Sequence, residues 1–270
     1  MEFSPMFSLQ PATQAASRAR VCAIALATGL ITLYYSLLVL SQATIGRLRR
    51  ERVDRYTRQW SGLLLRLVRM RLSVHGALPD FGDGRRYMIL CNHSSHYDIP
   101  ASFAALPGSI RMLAKSELYR IPVLGRAMRA AEFPSIDRHN SQRARADLQR
   151  ARQMMESGIV LWAAPEGTRS DDGRLLPFKK GCFRLALDTD AVIIPVAIRG
   201  IHRVLPARTF DLNLGQPVDL LVGRPVDAAA FRGQGLDALM GEVRGRMQEL
   251  LEPGAAKCAE AAREEPLALG

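Results

Sequence analysis

No charged side chain occurs in residues 21–46, and that run restricts how the rest of the chain can be arranged. Within residues 21–40 only Thr28, Gly29, Thr32 and Ser36 interrupt the apolar character, with Tyr34 and Tyr35 inside it. About 20 helical residues rising roughly 1.5 Å each cover on the order of 30 Å, the thickness of a hydrocarbon core. The run reads as a membrane anchor helix, with a buried core helix as the alternative. Arg18 and Arg20 before it and Ser41-Gln42-Ala43 after it also supply the parts of a signal peptide. Its length, however, exceeds the roughly 7–15 apolar residues of a typical signal core.

Arg47, Arg49, Arg50, Arg52, Arg55 and Arg58 follow the run, against only Glu51 and Asp54. The positive-inside rule then predicts a cytoplasmic (inner) membrane location, with the following domain on the cytoplasmic face. Trp60, Leu63, Leu64, Leu67 and Val68 recur at helical spacing while Arg58, Arg66 and Arg69 lie off that stripe. Such a segment either rests in the membrane interface or packs on the domain. The expected organisation is a flexible leader over residues 1–20, an anchor over 21–46 and a basic amphipathic segment over 47–72. A single folded domain over 73–252 and a disordered tail over 253–270 complete it.

Beyond residue 85 short apolar runs alternate with helical patterns. Residues 87–91, 110–114, 133–136, 159–163 and 192–198 read as strands. Helices are expected over 99–106, 124–131, 140–157, 181–188 and 236–251. This alternation predicts an α/β fold, one domain with a mostly parallel sheet flanked by helices. The net charge of +11 points to an anionic partner, and arginines grouped beside an apolar run suit anionic membrane lipid better than nucleic acid. Cys22, Cys91, Cys182 and Cys258 contain no C-x-x-C pair, which argues against a structural zinc site and for free thiols.

Three polar clusters follow expected strands. The first is Asn92-His93-Ser94-Ser95-His96-Tyr97-Asp98. A turn over four intervening residues lets the Asp98 carboxylate meet one nitrogen of His93, leaving the other as a base. The same residues allow a metal set of His93, His96 and Asp98, a serine nucleophile at Ser94 or Ser95, or simple helix capping. The second cluster, Ala164-Pro165-Glu166-Gly167-Thr168-Arg169-Ser170, offers backbone N–H groups and a guanidinium fork to an anion. The third, Ile136-Asp137-Arg138, adds an arginine, and Lys179 and Lys180 stand at an expected helix start. Together they read as a phosphate-binding cleft.

In these motifs the chain resembles the glycerolipid acyltransferase family, that of the 1-acylglycerol-3-phosphate acyltransferases. His93 and Asp98 match its His-x4-Asp motif, residues 133–138 its second block, 165–170 its Pro-Glu-Gly-Thr-Arg-Ser block and 194–197 its fourth. Lys115-Ser116-Glu117-Leu118 and Ile121-Pro122-Val123-Leu124-Gly125 fit the segment between the first two. The chain departs from the family at Ala164, where phenylalanine is usual, and at Pro134-Ser135, where an apolar pair is common. The resemblance implies direct acyl transfer from acyl-CoA or acyl carrier protein to the free hydroxyl of 1-acylglycerol 3-phosphate, forming phosphatidic acid. His93 would be the general base and Asp98 its partner. Arg138, Glu166, Gly167, Thr168, Arg169, Lys179 and Lys180 would bind the acceptor, Glu166 by organising the arginines. Neither a metal nor a cofactor is called for. Another lysolipid acceptor, such as lyso-ornithine lipid, and a non-catalytic lipid-binding role are the alternatives.

Overall fold

The computed structural model describes residues 14–77, 80–136 and 141–252, without the side chains at 136 and 141–146. Most of the expected leader, the tail over 253–270, Cys258 and Arg138 lie outside the described residues. In chain order the elements are β1 Gln14–Ala15, α1 Arg18–Thr44, α2 Arg50–Leu67, β2 Arg71–His75, β3 Tyr87–Cys91 and α3 Asp98–Ala105. Then come β4 Ile110–Met112, β5 Ala114–Lys115, α4 Leu124–Ala130, β6 Ser135–Ile136, α5 Ser141–Glu156 and β7 Val160–Ala163. The chain continues through α6 Lys180–Thr189, β8 Val192–Arg199, β9 Asn213–Leu214, β10 Pro217–Val222, β11 Val226–Asp227 and α7 Leu236–Leu251.

The central sheet has the order β2-β10-β8-β3-β7-β4, with β11 also paired to β8. Strands β8, β3, β7 and β4 are parallel, so their C-terminal ends share one edge. The expected parallel sheet is therefore present, but β10 joins it antiparallel to β8 and carries β2 parallel on its outer side. The reading from sequence did not anticipate β2 or β10. β2 is an edge strand with alternating partial burial rather than a continuous apolar run, and β10 follows β8 without a crossover helix. The apolar stretch over 110–114 divides into β4 and β5: Leu113 N–H still bonds to Trp162, but Ala114 turns to pair with β6.

Helices cover both faces of the sheet, which is why its central strands read as unbroken apolar runs. The pleat sends Ile89 and Cys91 toward α1, α2, α3 and α4, where they pack with Val53, Leu64, Ala101 and Met128. It sends Met88 and Leu90 toward α5, α6 and α7, among Met155, Phe183, Leu239 and Val243. Each such fully buried side chain contributes about 1.5–3 kcal/mol of apolar transfer free energy.

Helix α1 is the one candidate among the described residues that is long and apolar enough to cross a membrane. It starts at Ser17, whose side chain caps the Arg20 N–H. One face, with Ile24 and Val39, packs on the domain; the other leaves Leu26, Leu30, Leu33, Tyr34 and Leu37 exposed. Its neighbours are α4 and α2. The α2 stripe is turned inward as well: Leu64 and Val68 are buried, Trp60 Nε1 donates to Thr32 Oγ1 at 3.0 Å, and Leu63 is left at the margin. Asp54 of α2 also pairs with the fully buried Arg111 of β4 at 2.6 Å, and Arg50 grips Glu132 with two bonds of 2.7 Å. These contacts make the α1–α2 hairpin part of the domain's packing.

Candidate active site

Three neighbouring parallel strands deliver the site to their shared C-terminal edge. β3 ends at Cys91, and the next side chain, Asn92, spans to β8: its amide donates to Ile198 C=O at 3.1 Å and accepts Ile198 N–H at 2.7 Å. This pins the strand end, and the chain then turns sharply so that α3 begins at Asp98. A carboxylate in the first turn of a helix meets the positive end of its dipole.

The turn brings His93 and Asp98 together, with Nδ1 2.7 Å from Oδ2. The same Oδ2 accepts the Ser94 N–H at 2.8 Å and the Ser95 N–H at 3.0 Å. Asp98 is fully buried, whereas the His93 ring keeps some exposure. Donation from Nδ1 to the carboxylate leaves Nε2 with its lone pair and no hydrogen bond among the described residues. The serines do not fit a nucleophilic role: Ser94 Oγ is buried without a hydrogen-bond partner, and Ser95 Oγ donates to Leu205 C=O at 3.0 Å. His96 stands on the exposed side of the turn. Partial burial of its ring, then the Arg169 and His93 charges, hold its pKa below the usual imidazole value.

The loop after β7 closes on this turn. Glu166 is buried, and its Oε1 accepts the His93 N–H while Oε2 accepts the Leu176 N–H, both at 2.8 Å. Ser170 N–H returns to His93 C=O at 2.7 Å. Glu166 therefore organises backbone rather than the arginines expected from sequence. Burial pushes its carboxyl above the ordinary carboxylate range, opposed by the Leu176 and His93 N–H groups. Gly167 sits at φ 73°, in the left-handed region that a side chain disfavours, and its N–H bonds to Ala164 C=O at 3.1 Å.

Thr168 is exposed beside this turn, and Arg169 is half-buried within electrostatic reach of His96. Lys179 is exposed at the start of α6, its N–H bonded to Pro165 C=O at 2.7 Å. Lys180 is exposed beside it and pairs with the exposed Asp237 of α7 at 3.0 Å. Sequence reasoning had no role for Asn92, although an amide directly after a fully apolar strand was a visible signal. No three His, Cys, Asp or Glu side chains cluster in ligand geometry among the described residues.

An imidazole bonded to a buried carboxylate at the C-terminal edge of an α/β sheet, beside an arginine-bearing loop, is an arrangement that can carry acid–base chemistry. Residues 71–199 match the family model described as Acyltransferase. It is 37% identical over 118 residues to a 1-acyl-sn-glycerol-3-phosphate acyltransferase of Cocos nucifera, covering 43% of this chain and 38% of that protein. The enzyme of the same name from Limnanthes alba is 33% identical over 162 residues, 60% of this chain and 56% of that one. The chain thus spans about half the length, or less, of these curated relatives. The crystal structure of the 1-acyl-sn-glycerophosphate acyltransferase of Thermotoga maritima superposes with a TM-score of 0.69 at 25% identity, covering 86% of this chain and 95% of that one.

Proposed function

We propose that the protein transfers a fatty acyl group from acyl-CoA or acyl carrier protein to the free hydroxyl of 1-acylglycerol 3-phosphate, forming phosphatidic acid for phospholipid synthesis. The observation that carries this reading is the His93–Asp98 pair, with three donors converging on one carboxylate oxygen. An assembled pair of this kind argues against a non-catalytic lipid binder. The similarity to 1-acyl-sn-glycerol-3-phosphate acyltransferases supplies the acceptor.

In this mechanism Nε2 of His93 takes the proton of the acceptor hydroxyl as its oxygen attacks the thioester carbonyl. The C–S bond then breaks, and the proton held on the imidazolium passes to the departing thiolate. Asp98 keeps the ring in the required tautomer and stabilises its cationic form. Arg169, with Arg138 and the turn at Gly167 and Thr168, receives the acceptor phosphate. α1 anchors the protein to the membrane, its arginine-rich flank on the cytoplasmic side.

The test is an acyl-transfer assay on full-length protein in bilayers, with a panel of lysolipids and both thioester carriers. The highest kcat/KM is expected with 1-acylglycerol 3-phosphate. Faster reaction with lyso-ornithine lipid would reassign the acceptor, and no transfer to any lysolipid would return the protein to the non-catalytic class.

A further inference from the structure

A second basic site lies at the opposite edge of the molecule. A cleft of about 710 Å³ opens between α1, α2 and the loop entering β4, with Tyr35, Arg55, Arg58, Leu63, Arg66 and Ser109 in its wall. Gly108 and Ser109 precede β4 and so mark the N-terminal edge of the parallel strands, whereas His93 and Glu166 follow the C-terminal ends of β3 and β7. The cleft is therefore not an extension of the acyl-transfer site. Its size is within the range of small-molecule sites, about 300–1,000 Å³.

The charges in this wall are unevenly committed. Asp54 is used up, with Oδ1 on Arg111 and Oδ2 on Ser109 at 2.6 Å each. Glu51 is the other carboxylate in the wall. Elsewhere on the hairpin Arg50 is bound to Glu132, and Arg52 to Gln42. Arg55, Arg58 and Arg66, by contrast, make no side-chain hydrogen bond or ion pair among the described residues. Their spacing along α2 directs them to one side of the helix. Three uncommitted guanidinium groups against one carboxylate make an anion site, and their forks match phosphate oxygens.

The remaining wall selects among anions. Tyr35 and Leu63 give it apolar surface. Tyr34, stacked edge-on against Tyr35, belongs to the exposed apolar face of α1 with Leu26, Leu30, Leu33 and Leu37. An anionic headgroup continuous with hydrocarbon chains fits this juxtaposition, while a free anion has no use for the apolar part. We propose that this cleft binds the phosphate headgroup of an anionic bilayer phospholipid, with the acyl chains lying along α1. The site docks a structural lipid and is separate from the acceptor; it stands whether or not the proposed reaction is correct.

The experiment reads lipid retention, not acyl transfer. Full-length protein is extracted from nanodiscs of phosphatidylcholine containing a minor fraction of phosphatidylglycerol, and retained lipid is counted by native mass spectrometry. Wild type should favour phosphatidylglycerol by about tenfold or more, the worth of one charge-assisted contact. The triple variant Arg55→Gln, Arg58→Gln, Arg66→Gln should lose that preference with an unchanged melting temperature, since these side chains hold nothing inside the protein. Arg58→Glu alone should lower it and serves should the triple variant fail to fold. An equal preference in wild type and Arg58→Glu, or none in wild type, would overturn the site. Displacement of the lipid by inorganic phosphate at the same concentration would overturn the lipid as its occupant.

Discussion

Glu166 Oε1 accepts the backbone N–H of His93 at 2.8 Å. With Ser170 N–H donating to His93 C=O at 2.7 Å, the loop after β7 holds both polar groups of the peptide backbone at the candidate base. The position of that base therefore depends on residues over seventy positions away in sequence, delivered by the next strand of the sheet.

His93→Ala should lower turnover about 10²–10⁴-fold, the usual worth of a positioned base. Asp98→Asn should be comparably severe, because Oδ2 serves Nδ1 of His93 and two backbone N–H groups at once. His96→Ala should cost far less. Steady-state kinetics on folded protein decide this, and equal losses at His96 and His93 would remove the base assignment.

Glu166→Gln should act through position rather than through substrate contact. The amide oxygen satisfies one N–H and leaves the other facing an NH₂ group, a cost of about 1–3 kcal/mol for a buried donor. kcat should fall with little change in KM. A rise in acceptor KM alone would instead indicate contact with the headgroup.

The same variant has a pH signature. Burial raises the folded-state carboxyl of Glu166, so above its unfolded value the folded protein holds the proton more tightly than the unfolded chain does. Its contribution to stability is full below the unfolded value and is lost as pH rises through the raised one. The melting-temperature difference, wild type minus Glu166→Gln, should therefore shrink across that window. A difference that grows with pH would contradict a raised carboxyl.

Arg169→Ala should raise acceptor KM about tenfold or more through loss of a charge-assisted contact, and Arg169→Lys should recover only part of it. The same experiment applies to Arg138. A fall in kcat at constant KM would place the arginine at the reacting carbonyl instead of the phosphate.

The two faces of α1 should respond oppositely. Leu30→Asp with Leu37→Asp alters the exposed face and should make the protein extractable from membranes by salt without changing its melting temperature in detergent. Ile24→Asp and Val39→Asp place charge in the packed face and should lower the melting temperature, because a buried unpaired charge is strongly disfavoured. Salt-resistant binding of the first pair would mean that this face does not anchor the protein.

Sequence alone determined the elements whose burial is uniform or strictly periodic. β3, β7 and β8 are covered on both faces and read as unbroken apolar runs, and α7 shows its inner face at helical spacing. The His93–Asp98 pair was legible because its members are close in the chain and one turn suffices to join them. Tertiary structure decided whatever depends on partners distant in sequence. β2 has only partial cover at the sheet edge, so its pattern is weak, and the direction of β10 follows from a connection that carries no α-helix. The stripe on α2 suited either a bilayer or a protein surface until α1 and α3 were seen to occupy that space. Arg111 is buried against the usual preference of arginine because Asp54, on another element, accepts its charge. Glu166 read from the sequence as an organiser of the arginines, and its bonds to the His93 and Leu176 N–H groups emerged only with the fold in place. A hydrophobic period is written along one segment, but the satisfaction of a buried charge or N–H is a property of two segments, and only the fold chooses which two meet.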